Sequence, residues 1–589
     1  RSIHFTRDQI REYAFKLNQT FTVTELDRAI AAHPALIDYG KIRGTGEFRG
    51  QFTTVAALER EIRTAKAWMQ GQGQGTPILN REITIQALAQ THLKTGQRDA
   101  IVGVLASTNR HQIIHGLSGV GKTAALRQLK ALTDRQAIEV LGFAPSLDAA
   151  QKLSNELGIV THTVQKLVKG NFQLNPNQLL MIDEAGMASA DMLDIVLQKA
   201  NAAGARVLLV GDTGQNQAIE AGSPLRSLMA HGAGIHHISE IIRQQDNVQK
   251  KAVELIAQGN GLDALSLLNE HGYIHPIEDQ TQRVNAIAAE YLALSPEAQA
   301  NTLIVAGTNV EKDAIADQIR AGLKANGTLG EFCTIIQIRD RALTPEEAKE
   351  TRYYRIGDYV RLSRHYKSIP LQKDTPYRVV GKVEDELLLE SPGGRRYRFN
   401  PQQGKDKQVF ASRDFDFAVG DSLRWTASYR EKGQINGTTF KVAALNGSIA
   451  TILGNNGLTQ IDLTQPLAID YTLTSTSYRA QGSDRPSVFV SATNDPTSNR
   501  EPFYVSISRQ IKDLKIWTQD YEALKRRVSE SSVQRNPLEL IGEFYARPNP
   551  NPQPLDADSG PLAGESIVID RAEANDRGVT QRDDRADPG

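Results

Sequence analysis

Cysteine is almost absent from this chain: Cys333 stands alone among 589 residues. A single thiol excludes an intrachain disulfide framework and a cysteine-based zinc site, and it fits a reducing cytoplasm. Net charge is absent as well. The 68 Lys and Arg balance 68 Asp and Glu, so bulk electrostatics announce no polyanionic partner. No apolar run nears the roughly 18 residues that a membrane helix needs. The polar opening RSIHFTRDQIREY is not a signal peptide. That opening also begins with Arg1 rather than Met, which points to a piece of a longer polypeptide.

The remainder is ordinary globular composition, 40% hydrophobic and 23% charged, in a chain long enough for several domains. Phe5–Leu17 and Val23–His33 read as amphipathic helices, the second opening at Thr24. Leu36–Val55 carries four glycines between β-prone runs and reads as a hairpin, and residues 69–81 read as a linker. Together they suggest a winged-helix-like element. From residue 90, short apolar runs (Val140–Ala144, Leu179–Asp183, Val207–Asp212) alternate with helical stretches, the pattern of a parallel sheet with ligands at its strand ends. A second such series starts at Leu303–Ala306 and resumes with Asp470–Thr474, Val488–Val490 and Leu514–Trp517.

Between the two parts of that series, about 350–465, lies a β-rich stretch with two similar openings, YRIGDYVRL (354–362) and FAVGDSLRW (417–425). It reads as an inserted small barrel. Residues 351–450 carry 18 Lys and Arg against 11 Asp and Glu, interleaved with Tyr353, Tyr354, Tyr359, Tyr366, Tyr397 and Phe410. Such a mixture suits either a strand-tracking, base-stacking surface or a barrel core with a solvated basic face. The Pro-rich, acidic end of the chain reads as disordered.

GLSGVGKT (116–123) fits the phosphate-loop pattern at every fixed position and lies between a strand and a helix. Such a loop aims backbone N–H groups and a helix dipole at one spot. Lys122 is positioned for the β- and γ-phosphates and Thr123 for Mg²⁺. Asp183-Glu184 closes an apolar strand 60 residues on, supplying a carboxylate for the metal and a base for water. Gln215, ending the next strand, is placed to sense a γ-phosphate. Arg243 and Arg509 are the candidates to neutralise charge on the transferring phosphoryl group.

Nine segments in order then carry a resemblance: Thr95-Gly96-Gln97, GLSGVGKT, FAPSLDAA (143–150), THTVQKL (161–167), MIDEAGM (181–187), GDTGQ (211–215), IIRQQ (241–245), TSTSYRAQGS (474–483) and VSISRQ (505–510). The series resembles superfamily 1 helicases of the RecD-like, 5′-to-3′ branch (superfamily 1B). GDSLRWTASYREKGQINGTTFKV (420–442) is similar to the helicase part of conjugative relaxase–helicases of the TraI/TrwC type.

The resemblance implies an α/β fold of two RecA-like parallel-sheet motor domains, an inserted SH3-like β-barrel and a small N-terminal helical, winged-helix-like module. The implied division is 1–80 for the module, 81–245 for the first motor domain, 246–349 with 466–545 for the second, 350–465 for the insert and 546–589 for a disordered acidic tail. ATP and Mg²⁺ are the implied cofactors. ATP lies on Gly116, Ser118, Gly119, Val120, Gly121, Lys122, Thr123 and Gly482, with Gln97 on adenine and Mg²⁺ on Thr123 and Asp183. Glu184, Lys122, Gln215, Arg243 and Arg509 carry the chemistry. Single-stranded DNA touches Pro145, Ser146, His162, Thr163, Ser475, Thr476, Tyr478, Arg479 and Gln481; the stretch 168–176 reads either as a plain surface loop or as a strand-separating pin with Phe172 as a wedge.

The chain departs from the family in Tyr478-Arg479, where His-Lys is more usual, and in Ser506-Ile507-Ser508, where an Ala-Leu-Thr type run is more usual. The implied protein is a monomeric motor in the bacterial cytoplasm, joined to an upstream relaxase domain and working with other conjugation proteins. Two rivals stay open: a RecD-like DNA repair helicase, and a helicase-fold single-strand-binding module that has lost hydrolysis.

Overall fold

The structure, a computed structural model, describes residues 4–17, 22–38, 51–216, 223–230, 234–404, 406–429, 432–455, 457–533 and 536–537. The acidic tail expected at 546–589 lies outside the described residues.

Two separate parallel sheets organise the chain. The first has six strands in the order Thr161–Thr163, Glu139–Ala144, Gln178–Ile182, Arg206–Gly211, His111–Gly116, Ile235–Ile238. The second has five, in the order Ile274–Pro276, Gln510–Thr518, Arg485–Ala492, Thr302–Ala306, Thr474–Thr476. Central strands such as Gln178–Ile182 and Arg206–Gly211 are buried along their whole length, because helices cover both faces. This is an α/β fold with RecA-like motor sheets.

The β-rich interruption starts earlier and ends later than the sequence suggests. Phe332–Asp340, expected with the second motor sheet, instead pairs antiparallel with the long strand Lys407–Ala418. They belong to a six-stranded antiparallel sheet with Tyr359–Leu362, Tyr377–Val383, Glu386–Glu390 and Arg396–Phe399. A second antiparallel sheet joins Gly457–Asp462, Ile449–Gly454, Thr439–Asn446, Ser422–Trp425 and Ile469–Tyr471. The apolar run at Asp470–Thr474 is therefore split: Ile469–Tyr471 pairs with Ser422–Trp425, and only Thr474–Thr476 joins the motor sheet.

The two Gly-Asp turns are the same device used twice. Gly357 and Gly420 both sit at φ 95°, where a side chain would be strained. Asp358 and Asp421 are buried and each accepts from the backbone N–H three residues before it, at Arg355 and Ala418 (2.8 Å each). Each also pairs with an arginine: Arg341 at 2.6 Å and Arg320 at 2.7 Å. Arg320 comes from the helix Asn309–Ala325 of the second motor part, and so does Asp313, which binds Arg339 and Arg413 of the insert. The insert is thus keyed to the second sheet by charge. Of the six aromatics noted there, Tyr354 and Phe410 are core, while Tyr353, Tyr359, Tyr366 and Tyr397 are half-buried.

At the N-terminus, His4–Thr6 is a strand paired with Gln51–Thr54, which also pairs with Leu36–Asp38. Phe5, expected in a helix, faces Phe52 in that ladder. The helix Val23–Ala32 is capped by Thr22 rather than opened by Thr24, because Thr22 and Glu25 bond reciprocally in a capping box. The following helix, Val55–Met69, buries Trp68 completely against the first motor sheet's core and pairs Arg60 with Asp191 (2.5 Å).

Candidate nucleotide and DNA site

The strand His111–Gly116 and the helix Lys122–Asp134 meet through a loop with Gly119 at φ 84° and Gly121 at φ 73°. A Cβ at Gly121 would lie 2.6 Å from Gln97 Nε2 and 2.8 Å from Ile242 Cδ1, so the position needs glycine on two counts. Gln97 braces the loop from behind. Its Nε2 donates to the carbonyls of Val120 (2.8 Å) and Gly121 (3.2 Å), and its Oε1 accepts from Lys94 N (2.9 Å). The amide assigned to adenine by resemblance is spent on the loop itself in this arrangement. Lys122 Nζ donates to the carbonyls of Gly116 (2.7 Å) and Leu117 (3.1 Å), so its ammonium lies along the loop.

The carboxylates stand at the end of Gln178–Ile182. Glu184 is a non-glycine residue at φ 50°, ψ 40°, a conformation that side chains seldom adopt and that concentrates at functional sites. Its N–H donates to Asp183 Oδ1 at 3.0 Å. Burial, then the Glu184 charge, push the Asp183 carboxyl up to about 6, with Lys122 opposing. Glu184 Oε2 accepts from Gln481 Nε2 at 3.1 Å, a contact from the second sheet.

Two arginines close on Ser118, which is buried in the loop: Arg243, which follows the first-sheet strand Ile235–Ile238, and Arg509, which precedes the second-sheet strand Gln510–Thr518. Arg243 Nη1 and Arg509 Nη2 both donate to Ser118 Oγ, at 2.9 and 2.8 Å. Both also pair with Asp484, at 2.8 and 3.4 Å. Burial and the Arg509 charge bring Arg243 down to about 10, which leaves it cationic at neutral pH. Ser118 N–H donates to Tyr504 Oη (2.8 Å), and Tyr504 Oη donates to Asp212 Oδ2 (2.8 Å). Burial and Asp212 hold that phenol far above its ordinary range, so it keeps its proton. Asp212 also accepts from Gln215 Nε2 (3.1 Å), and Gln215 Oε1 accepts from Arg509 Nη2 (3.3 Å). The result is a closed ring: Ser118, Tyr504, Asp212, Gln215, Arg509 and back to Ser118.

Lys122, Ser118, Gln215, Arg243 and Arg509 are therefore gathered at one cleft, with Asp183-Glu184 linked to it through Gln481. Tyr504 and Asp484 lie outside the motifs read from the sequence, and Gln244, inside IIRQQ, carried no role there. Gln244 Nε2 donates to the carbonyls of Ser508 (3.2 Å) and Gln510 (3.0 Å), which ties the first sheet to the strand that follows Arg509. The nearest signals were their positions: Tyr504 five residues before Arg509, Asp484 two after Gly482, Gln244 next to Arg243.

The residues expected on DNA sit at strand ends of both sheets. In the first, Ser146 and Thr163 cap helices Leu147–Leu157 and Val164–Lys169 through Ala149 N and Lys166 N, and Pro145 is half-buried beside Ser146. His162 Nδ1 lies 3.1 Å from Lys166 Nζ. Phe172, expected as a free wedge, is half-buried: its ring stands edge-on to Phe143 (5.8 Å) and His162 (5.4 Å). Apolar contact holds the ring in that cluster, where it supports His162. In the second sheet, Ser475 is buried, Thr476 and Tyr478 are half-buried, and Arg479 is exposed near Asp470 (3.8 Å). Gly482 sits at φ 80° and its carbonyl accepts from Lys152 Nζ at 2.6 Å.

Residues 92–279 match the family of the AAA domain. The chain is 22% identical over 588 residues to the multifunctional conjugation protein TraI of Escherichia coli (strain K12), covering 89% of this chain and 32% of that protein. It is 31% identical over 212 residues to the ATP-dependent RecD2 DNA helicase of Deinococcus radiodurans, covering 34% of this chain and 28% of that protein. A solved structure of Bacteroides Pif1 bound to single-stranded DNA overlaps with a TM-score of 0.42 at 15% identity, over 77% of this chain and 97% of that one. The chain spans about a third of the length of the TraI proteins it matches. With its ordered motifs gathered on two parallel sheets, this chain resembles the RecD-like superfamily 1B helicases and is similar to the conjugation protein TraI and the RecD2 DNA helicase.

Proposed function

We propose that this chain is an ATP-driven motor that moves 5′ to 3′ on single-stranded DNA and unwinds duplex ahead of it, as the helicase part of a conjugative relaxase. The observation that carries the reading is the meeting of Arg243 and Arg509 on the hydroxyl of Ser118 in the phosphate loop. A site made of a loop from one sheet and an arginine from the other makes cleft closure depend on the bound nucleotide.

In the reaction, water attacks the γ-phosphorus and the bond to the β,γ-bridging oxygen breaks, releasing ADP and phosphate. Glu184 takes the proton from the water. Lys122 and the two arginines neutralise the charge that gathers on the phosphoryl oxygens. Asp183 and Thr123 are oxygen donors suited to Mg²⁺, which binds through one or two side chains plus phosphates. Among the described residues no group of three or more His, Cys, Asp or Glu side chains is placed to hold a metal. The crowded Asp183-Glu184 pair, with one carboxyl raised to about 6, is a pair that a divalent cation would relieve. When bound, the cation shields the triphosphate charge.

The strand path runs over Pro145, Ser146, His162, Thr163, Ser475, Thr476, Tyr478, Arg479 and Gln481. Binding there rests on phosphate contacts and stacking, so it is weakly sequence-specific and weakens with salt. The insert is read as SH3-like and the N-terminal elements as winged-helix-like. The protein works as a monomer in the bacterial cytoplasm, with a relaxase domain upstream and other conjugation proteins as partners. Among the described residues no helix is long and apolar enough to cross a membrane.

Duplexes with a single tail test the direction. With ATP and Mg²⁺, a 5′-tailed duplex is opened and a 3′-tailed one is not; the reverse preference contradicts the branch assignment.

A further inference from the structure

The segment Ser477–Asp484 reaches three groups of the proposed hydrolytic apparatus, Glu184, Arg243 and Arg509. Gln481 Nε2 donates to the Glu184 carboxylate (3.1 Å). The Gly482 carbonyl accepts from Lys152 of the first sheet (2.6 Å). The Asp484 carboxylate pairs with Arg243 (2.8 Å) and Arg509 (3.4 Å). The same segment carries Tyr478 and Arg479, three residues or fewer from Gln481 and assigned to the DNA path.

Two guanidinium groups on one hydroxyl repel each other, and burial sharpens the repulsion. Asp484 supplies the anion that balances both. A γ-phosphate entering between the loop and the arginines is an anion of the same kind, so it and Asp484 compete for the same donors. Glu184 is restrained in parallel. The Gln481 amide holds the Glu184 oxygen turned toward itself.

We propose that Asp484, together with Gln481, is a positioning residue that holds the two arginines and the water-activating carboxylate at rest, and that DNA on Tyr478 and Arg479 draws the segment away and frees them. This rests on the motor reading above. It gives DNA-stimulated hydrolysis a physical origin, since the strand-binding segment and the restraint are one piece of backbone.

Asp484→Asn keeps the shape and removes the charge, and Gln481→Ala removes the amide. Steady-state ATP hydrolysis is measured for wild type and both variants, with and without a dT oligonucleotide, over a range of ATP concentrations. Asp484→Asn raises the DNA-free rate, lowers KM for ATP and shrinks the stimulation by DNA about tenfold, a normal size for coupling between sites. Gln481→Ala raises the DNA-free rate at unchanged KM, and it carries the test if a melting curve shows that Asp484→Asn is unfolded. Variants with the wild-type DNA-free rate, or a lower one, overturn the restraint while the motor reading stands. A wild-type chain with no stimulation by DNA overturns both.

Discussion

Arg509 Nη2 lies 2.8 Å from Ser118 Oγ, joining residues 391 positions apart. The contact makes the phosphate loop of one parallel sheet and the arginine of the other into a single site. Arg509 is nearly inaccessible, and Arg243 reaches the same hydroxyl.

Replacing Arg509 tests whether its planar, forked head matters. Arg509→Lys keeps the charge and loses the geometry that lets one side chain serve Ser118, Gln215 and Asp484. ATP turnover falls by about 10³-fold or more, in the range seen when an arginine finger is lost. Turnover within a few-fold of wild type would place the transition-state cation elsewhere.

Glu184→Gln keeps the hydrogen-bonding size and removes the base. Turnover falls by about 10²- to 10⁴-fold, while a fluorescent ATP analogue still binds. Loss of binding together with turnover would mean that Glu184 holds the site's shape and is not its base.

Tyr504→Phe removes one oxygen from the ring of contacts. Ser118 N–H and the Asp212 carboxylate each lose a partner in a buried place. The penalty for such groups is about 1–3 kcal/mol each, which appears as a thermal midpoint lower by several degrees, along with slower turnover. An unmoved midpoint would show that the phenol oxygen is not bonded in solution.

Two buried imidazoles set a pH dependence of stability. Burial lowers His111 and His236 from 6.5 to about 4, and their ring nitrogens face Asn201 (2.8 Å) and Gln112 (2.9 Å). Below about pH 6.5 the unfolded chain takes up protons that the folded one refuses, so stability falls as pH drops toward 4. Each group contributes a slope of up to about 1.4 kcal/mol per pH unit. Asp183, raised to about 6, and Asp148, Asp317 and Asp421, also raised by burial, act in the opposite sense, while His115, His162 and His275, lowered by burial, act with the two imidazoles. Denaturant unfolding between pH 7.5 and 5 shows the loss, and His236→Gln flattens it. An equal slope in the variant would contradict the assignment.

The loop, the Asp-Glu pair and the two arginines were legible because local chemistry fixes them: a glycine pattern, a strand ending in acids, an Arg in a recurring context. Tyr504 and Asp484 were not, because their meaning comes from partners such as Ser118 and Arg243, more than 200 positions away along the chain. The insert's edges were misplaced for a related reason. Phe332–Asp340 is an apolar-rich strand that reads the same in a parallel or an antiparallel sheet, and only its pairing with Lys407–Ala418 decides. Asp470–Thr474 looked like one strand because nothing in its composition marks where one sheet is left and another joined. Phe172 is an aromatic in a polar loop, and whether such a ring projects or packs depends on neighbours such as Phe143 that lie elsewhere in the chain.

The most direct measurement is ATP turnover with and without single-stranded DNA, for wild type and Lys122→Ala. Among the described residues Lys122 Nζ donates to carbonyls of its own loop, so its removal leaves the fold in place. DNA accelerates the wild-type enzyme, and the variant melts as wild type does but does not turn over with or without DNA. Turnover indifferent to DNA, or turnover that survives Lys122→Ala, would contradict the motor reading.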